Sequence, residues 1–178
     1  HLSQDDRIFK KFSNLDPGFI FNFVGYNLRL SEPQAAIGIE QLKQLDVFIK
    51  NRSKAAQLYT SFFMDYQDSI QILKPKEKAS SSWFGFPLVL TGRLKGKRNE
   101  LRKKLMDNNI ESRPFLAGNF SIQPVVNNFK HFKDKDLKVS QSISDDGLAI
   151  PCHQDINESN ISKITSIIKT FLNNTNFL

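Results

Sequence analysis

The chain has 178 residues, 39% hydrophobic and 24% charged, the make-up of a globular domain, or of one domain with part of another, and not of a disordered or fibrous protein. Lysine and arginine exceed aspartate and glutamate by 25 − 18 = 7, which bears on solubility and anionic partners and not on fold. No apolar run approaches the roughly 20 residues of a membrane helix, and the one cysteine, Cys152, excludes an intrachain disulfide framework and a multi-cysteine metal site.

In chain order, His1-Leu2-Ser3-Gln4-Asp5-Asp6 has neither an initiator methionine nor a signal-like pattern and reads as the start of a piece of something longer. Ile8, Phe9 and Phe12 recur at helical spacing, the turn Asp16-Pro17-Gly18 follows, and Phe19 to Val24 alternate as an extended segment would. Nothing there closes a core alone, so residues 1–30 read as the end of a larger domain and 31–178 as a smaller C-terminal one. Ser31-Glu32-Pro33-Gln34 has the form of a capping box, with proline harmless in a first turn whose N–H groups lack helical partners. From Ala35 to Phe63 apolar residues recur at threes and fours, which predicts one amphipathic helix ending near residue 64 and spanning roughly 45–50 Å. Such a helix bends or bridges two bodies.

Strands are expected at Ile70–Leu73, at Trp83–Leu90, where Pro87 argues for an edge or a bulge, at Ile110–Leu116, and at Gly147–Ile150. Helices are expected over Arg98–Asn108 and from about Asn157 to the end, with Ile161, Ile164, Ile168, Phe171 and Leu172 on one face. Gly118 to Ser140 reads as mostly irregular. The expected fold is α+β, a small two-layer domain with one long N-terminal helix on a short mixed sheet.

Chemistry is sparse. The segment from Lys74 to Lys104 gathers ten cations against Glu77 and Glu100; this is a solvated basic face or a surface for an anionic polymer, and no nucleic-acid signature accompanies it. Cys152-His153 suggests a thiol nucleophile, but neighbours on an extended segment point to opposite faces. The three histidines, one of them terminal, do not compose a metal site. Two clusters stand out. Gly25-Tyr26-Asn27-Leu28-Arg29 precedes a helix start, where amide and guanidinium donors favour a phosphate. Arg113-Pro114-Phe115-Leu116-Ala117-Gly118-Asn119-Phe120 places a cation, a glycine and an amide at a strand end.

The block Gly25-Tyr26-Asn27-Leu28-Arg29-Leu30 followed by Gln34-Ala35-Ala36-Ile37-Gly38-Ile39-Glu40-Gln41-Leu42 resembles the DegT/DnrJ/EryC1/StrS family of sugar aminotransferases. Leu148-Ala149-Ile150-Pro151-Cys152-His153 resembles that family's late Leu-Pro-x-His strand, so the resemblance covers nearly the whole chain. It implies the end of the large domain plus the C-terminal domain of a fold-type-I pyridoxal 5′-phosphate enzyme acting on a nucleotide-linked keto-sugar. Ser81-Ser82-Trp83-Phe84-Gly85-Phe86-Pro87 and Arg113 to Phe120, with Gln123-Pro124, resemble the nucleotide-sugar 3-dehydratase branch. Pro151-Cys152-His153 departs from that branch toward the aminotransferases, so both reactions stay open.

The resemblance implies further that the Schiff-base residue lies upstream of His1, so that no catalytic residue is expected within this chain and the chain alone is expected to be inactive. Asn27, with Arg29 beside it, would address the cofactor phosphate of the neighbouring subunit of a homodimer. Arg113, Gly118, Asn119 and His153 would stand near the sugar nucleotide. A cytoplasmic location without membrane, metal or nucleic-acid partners is the corresponding expectation. Two rival readings are a non-catalytic module for an anionic partner and a thiol enzyme using Cys152.

Overall fold

The computed structural model describes residues 26, 28, 30–115, 118–122, 126, 128, 130, 132 and 136–175. Asn27 and Arg29, and the elements expected before Gly25, lie outside the described residues. The chain divides into two compact units, 1–42 and 43–178, and each is described by itself.

In the first unit, Ser31 opens helix α1 (Glu32–Leu42). The Ser31 N–H donates to Gln34 Oε1 at 3.1 Å, which is one half of the capping box. The Ser31 hydroxyl also turns to Gln34 Oε1, at 3.0 Å. None of the eleven residues of α1 is buried, and Ile37, Ile39 and Leu42 are exposed.

The expected single helix is two, because Lys43 and Gln44 form a turn before α2 (Leu45–Phe63). Gln44 stands at φ −101°, ψ −5°, far from the helical ψ near −42°, and its carbonyl accepts the first bond of the new helix from the Phe48 N–H. The apolar spacing runs unbroken through this turn, so the pattern alone does not mark it.

The sheet consists of β1 (Ile70–Ile72), β2 (Phe86–Leu90), β3 (Arg113–Pro114) and β4 (Gly147–Ile150), in the order β1-β2-β4-β3. Every pairing is antiparallel, which corrects the expected mixed sheet. Pro87 is tolerated because β1 pairs with β2 only through residues 88–90; at Pro87 the strand has a neighbour on the β4 side alone and is locally an edge. Pro114 lies on a true edge strand.

Side chains alternate across this sheet. One face carries Ile70, Ile72, Phe86, Leu88, Leu90, Leu148 and Ile150, all buried. They pack with Tyr59 and Phe63 of α2, with Leu101 and Leu105 of α3 (Arg98–Met106), and with Ile161, Ile164, Ile168, Phe171 and Leu172 of α5 (Glu158–Asn174). At the centre, the Phe86 ring lies 5.1 Å from Tyr59 and 6.0 Å from Phe63 between centroids. Helix α5 starts with a full reciprocal cap: Asn160 N–H donates to Asn157 Oδ1 at 2.9 Å, and Asn157 N–H to Asn160 Oδ1 at 3.3 Å.

The opposite face carries Pro87, Val89, Ala149 and Arg113, brought side by side by the register Pro87↔Ala149 and Arg113↔Ala149. A further helix, α4 (Lys138–Asp146), absent from the expected elements, begins in the last three residues of the stretch expected to be irregular and packs against β2 and β4. Gly147, which ends it, allows no side chain, since a Cβ there would stand 2.4 Å from the Ile143 carbonyl oxygen.

Candidate functional site

The row Pro87–Ala149–Arg113 floors a cleft of about 690 Å³, within the usual range for small-molecule sites. Trp83 and Phe84 contribute an aromatic wall, Glu111, Arg113 and Phe115 come from β3 and its flanks, and Pro151 and His153 from the segment after β4. The sheet register thus brings together two of the expected residues, Arg113 and His153, which lie 40 positions apart in sequence.

Arg113 is exposed and pre-oriented: its Nε and Nη2 lie 2.8 Å from Glu111 Oε1. A side-on pair of this kind occupies one edge of the guanidinium and leaves its remaining N–H groups for an anion. His153 Nδ1 accepts from the Asp155 N–H at 3.2 Å, so the neutral ring carries its proton on Nε2.

The residues on either side of His153 are both tied to Arg52 of α2. Arg52 Nη2 donates to Gln154 Oε1 at 3.0 Å, and the Arg52 carbonyl lies 3.5 Å from Cys152 Sγ. Arg52 therefore holds the His153 segment against the core, a role that periodicity could not announce. Cys152 itself is 1% exposed, and burial pushes its thiol up to about 11, only partly offset by the Arg52 charge. A buried, protonated thiol is a poor nucleophile, which speaks against the thiol-enzyme reading.

Gly118 and Asn119 do not line the cleft. Gly118 adopts φ +57° and lies so close to α4 that a Cβ would stand 2.5 Å from the Ser144 Cα. Asn119 is 5% exposed with both ends of its amide engaged. Its Nδ2 donates to Gln141 Oε1 at 2.9 Å, and its Oδ1 accepts from the Ser121 N–H at 3.1 Å and from the Ser121 hydroxyl at 2.7 Å. Gln141 in turn donates to Asp145 Oδ1 at 2.9 Å. This pair of residues clasps the loop after β3 to α4.

Several cations of the basic stretch are spent inside the fold. Arg98 donates to the Ser144 carbonyl, Arg102 to the Ser112 carbonyl, and Arg93 to the Ser69 hydroxyl, while Lys97 pairs with Glu100. The stretch is in part a bracing network, which lowers its value as a polyanion surface. A second hollow of about 540 Å³ lies between α2 and the start of α5. It is bridged by Lys54 Nζ and Glu158 Oε1 at 2.8 Å, and that hydrogen bond and charge hold the Glu158 carboxyl below its ordinary range. Among the described residues no three His, Cys, Asp or Glu gather as a metal site, and no helix is long and apolar enough to cross a membrane.

A GDP-4-keto-6-deoxy-D-mannose 3-dehydratase from Yersinia pseudotuberculosis is 36% identical over 162 residues, covering 90% of this chain and 40% of that protein. A dTDP-4-amino-4,6-dideoxy-D-glucose transaminase from Shigella dysenteriae is 28% identical over 168 residues, covering 92% and 43%. Among solved structures, an E. coli GDP-4-keto-6-deoxy-D-mannose-3-dehydratase with bound hydrated PLP superposes with a TM-score of 0.74 at 31% identity, over 85% of this chain and 39% of that one. The chain thus spans about 40% of the length of the curated relatives it matches. The model of the DegT/DnrJ/EryC1/StrS aminotransferase family matches residues 2–169, and the chain belongs to that family.

Proposed function

We propose that this chain is the C-terminal part of a pyridoxal-phosphate enzyme acting on a nucleotide-linked keto-sugar in polysaccharide or deoxysugar biosynthesis, and that its cleft receives the sugar nucleotide. The observation that carries the proposal is the convergence of Arg113 and His153 on one cleft floor. Arg113, steadied by Glu111, meets the diphosphate through its uncommitted N–H groups. His153, with Nδ1 occupied by the Asp155 N–H, offers Nε2–H to a sugar or ribose hydroxyl. Gly118 and Asn119 support this site by fixing the loop after β3 to α4.

Among the described residues no lysine lines the cleft, whose lining suits a nucleotide sugar; the cofactor's electron-sink chemistry is proposed for the whole protein. There we assign Asn27 and Arg29 to the cofactor phosphate across a cytoplasmic homodimer, with residues 1–30 ending the large domain. The apolar residues exposed on α1 suit burial in such an assembly. The higher identity to a 3-dehydratase, 36% against 28% for a transaminase, favours C3 deoxygenation over C4 amination.

The test is product analysis of the full-length protein supplied with pyridoxal phosphate, glutamate and GDP-4-keto-6-deoxymannose. A product lacking the C3 hydroxyl is expected. A 4-amino sugar would reassign the reaction to transamination, and absence of any conversion of nucleotide-linked keto-sugars would overturn the proposal.

A further inference from the structure

Trp83 and Phe84 form an unusual corner of the cleft. Trp83 adopts φ +51°, a region that bulky residues avoid and that persists only where the surroundings enforce it. Two contacts enforce it here. The Trp83 ring stacks on Phe86 with centroids 5.5 Å apart and planes at 26°, which ties it to the buried core, and the Trp83 backbone N–H donates to the Ser81 hydroxyl at 3.1 Å. The consequence falls on the next residue. Phe84 is turned outward and is 85% exposed, although it belongs to a run whose neighbours Trp83 and Phe86 are packed. An exposed phenylalanine beside an anchored tryptophan, in a cleft that also holds Arg113, is a flat apolar surface next to an anion-binding group.

We propose that Phe84, held out by the strained Trp83 backbone, is the shelf on which the base of the nucleotide stacks while Arg113 holds the diphosphate. This assignment rests on the nucleotide-sugar reading of the cleft and adds the residue that recognises the base. Base–aromatic stacking is tolerant of base identity because every base presents a π-face. The shelf therefore supplies affinity for a nucleotide over a bare diphosphate, and selection among bases falls to other groups. By the usual worth of one stacked base, that affinity is about 5- to 150-fold. The cleft volume of about 690 Å³ accommodates a nucleoside diphosphate.

Trp83 is the only tryptophan of the chain and lines the cleft, so intrinsic fluorescence reports occupancy directly. The experiment titrates the chain with GDP and separately with pyrophosphate, in the wild type, Phe84→Ala, Phe84→Tyr and Arg113→Gln. Because Phe84 is exposed, its replacement leaves the core intact, which the Trp83 emission maximum verifies. The expected result is that GDP binds about 5- to 150-fold tighter than pyrophosphate. Phe84→Ala then removes that advantage without changing pyrophosphate affinity, and Phe84→Tyr keeps it.

If Phe84→Ala binds GDP as the wild type does while Arg113→Gln weakens it, the shelf is wrong and the nucleotide reading of the cleft stands. Equal loss of GDP and pyrophosphate in Phe84→Ala also overturns the shelf, since the ring would then act on cleft shape and not on the base. A wild-type chain that binds neither probe overturns the shelf and the nucleotide reading together.

Discussion

Replacing Asn119 by alanine separates a clasp from a ligand. Asn119 is 5% exposed and makes three hydrogen bonds, to Gln141 Oε1 and from the Ser121 N–H and hydroxyl. Each is worth about 0.5–1.5 kcal/mol net. Ser121 and Gln141 are half-buried and regain part of this from water, so the loss is about 2 kcal/mol. For a chain of this size that lowers Tm by roughly 4–8 °C. Urea unfolding followed by Trp83 fluorescence and far-ultraviolet dichroism reads the change as a shifted midpoint at unchanged slope. A double-mutant cycle with Gln141→Ala isolates the amide–amide bond, whose coupling is expected at about 0.5–1.5 kcal/mol. Nucleotide affinity of Asn119→Ala, measured at a temperature where it is folded, falls by less than about threefold, on the order of 0.6 kcal/mol. A variant that keeps its full stability yet loses nucleotide binding more than about tenfold refutes the reasoning, because its amide would then belong to the ligand.

Three further substitutions, at Gly118, Cys152 and Phe86, have defined outcomes. Gly118→Ala strains a φ of +57° and drives a Cβ to within 2.5 Å of the Ser144 backbone, so a loss of about 3 kcal/mol or more is expected in urea unfolding. Burial that raises the Cys152 thiol to about 11 favours the protonated, folded state. Its contribution to stability is fully present below the ordinary thiol value near 9.0 and is lost as pH rises through about 11, which unfolding midpoints of wild type and Cys152→Ala compared across that window will show. Phe86→Ala empties the centre of the Tyr59–Phe63–Trp83 cluster and is expected to cost about 3–5 kcal/mol, with a red shift of the Trp83 emission.

The sequence and the structure agree where a local signal exists and part where tertiary context decides. The closing helix is legible from Ile161, Ile164 and Ile168 at helical spacing, and its start at Asn157 is a true cap. The four strands stand where apolar runs and prolines suggested, because Pro87 and Pro114 both occupy positions that need no ladder donor. Helix α4 is illegible for a physical reason. Lys138 to Asp146 contains only Val139 and Ile143 as apolar residues, and Val139 is 75% exposed. It is seated by the Gln141–Asn119 bond and by the backbone approach of Gly118 instead of by an apolar stripe.

The break at Lys43–Gln44 escapes because no glycine or proline punctuates it. Strand direction escapes because the alternation of Phe86, Leu88 and Leu90 is the same in parallel and antiparallel pairing. For the site, Arg113 and His153 were visible as residue types near strand ends, but their meeting required the register Arg113↔Ala149. The restraints on them, Glu111 beside Arg113 and Arg52 behind His153, carry no sequence signature at all. The block Ser81 to Pro87 carried a family resemblance and no site reading, and the aromatic wall that Trp83 and Phe84 make at the cleft is visible only in the structure.

The central claim is that the cleft on the Pro87–Ala149–Arg113 face binds the nucleotide sugar through Arg113. Calorimetric titration of GDP into the wild-type chain and into Arg113→Gln tests it most directly. A hydrogen-bonded contact to a charged group is worth about 1.5–3 kcal/mol, so the substitution is expected to weaken GDP binding about 10- to 150-fold. An affinity for GDP that is the same in the two proteins would contradict the claim.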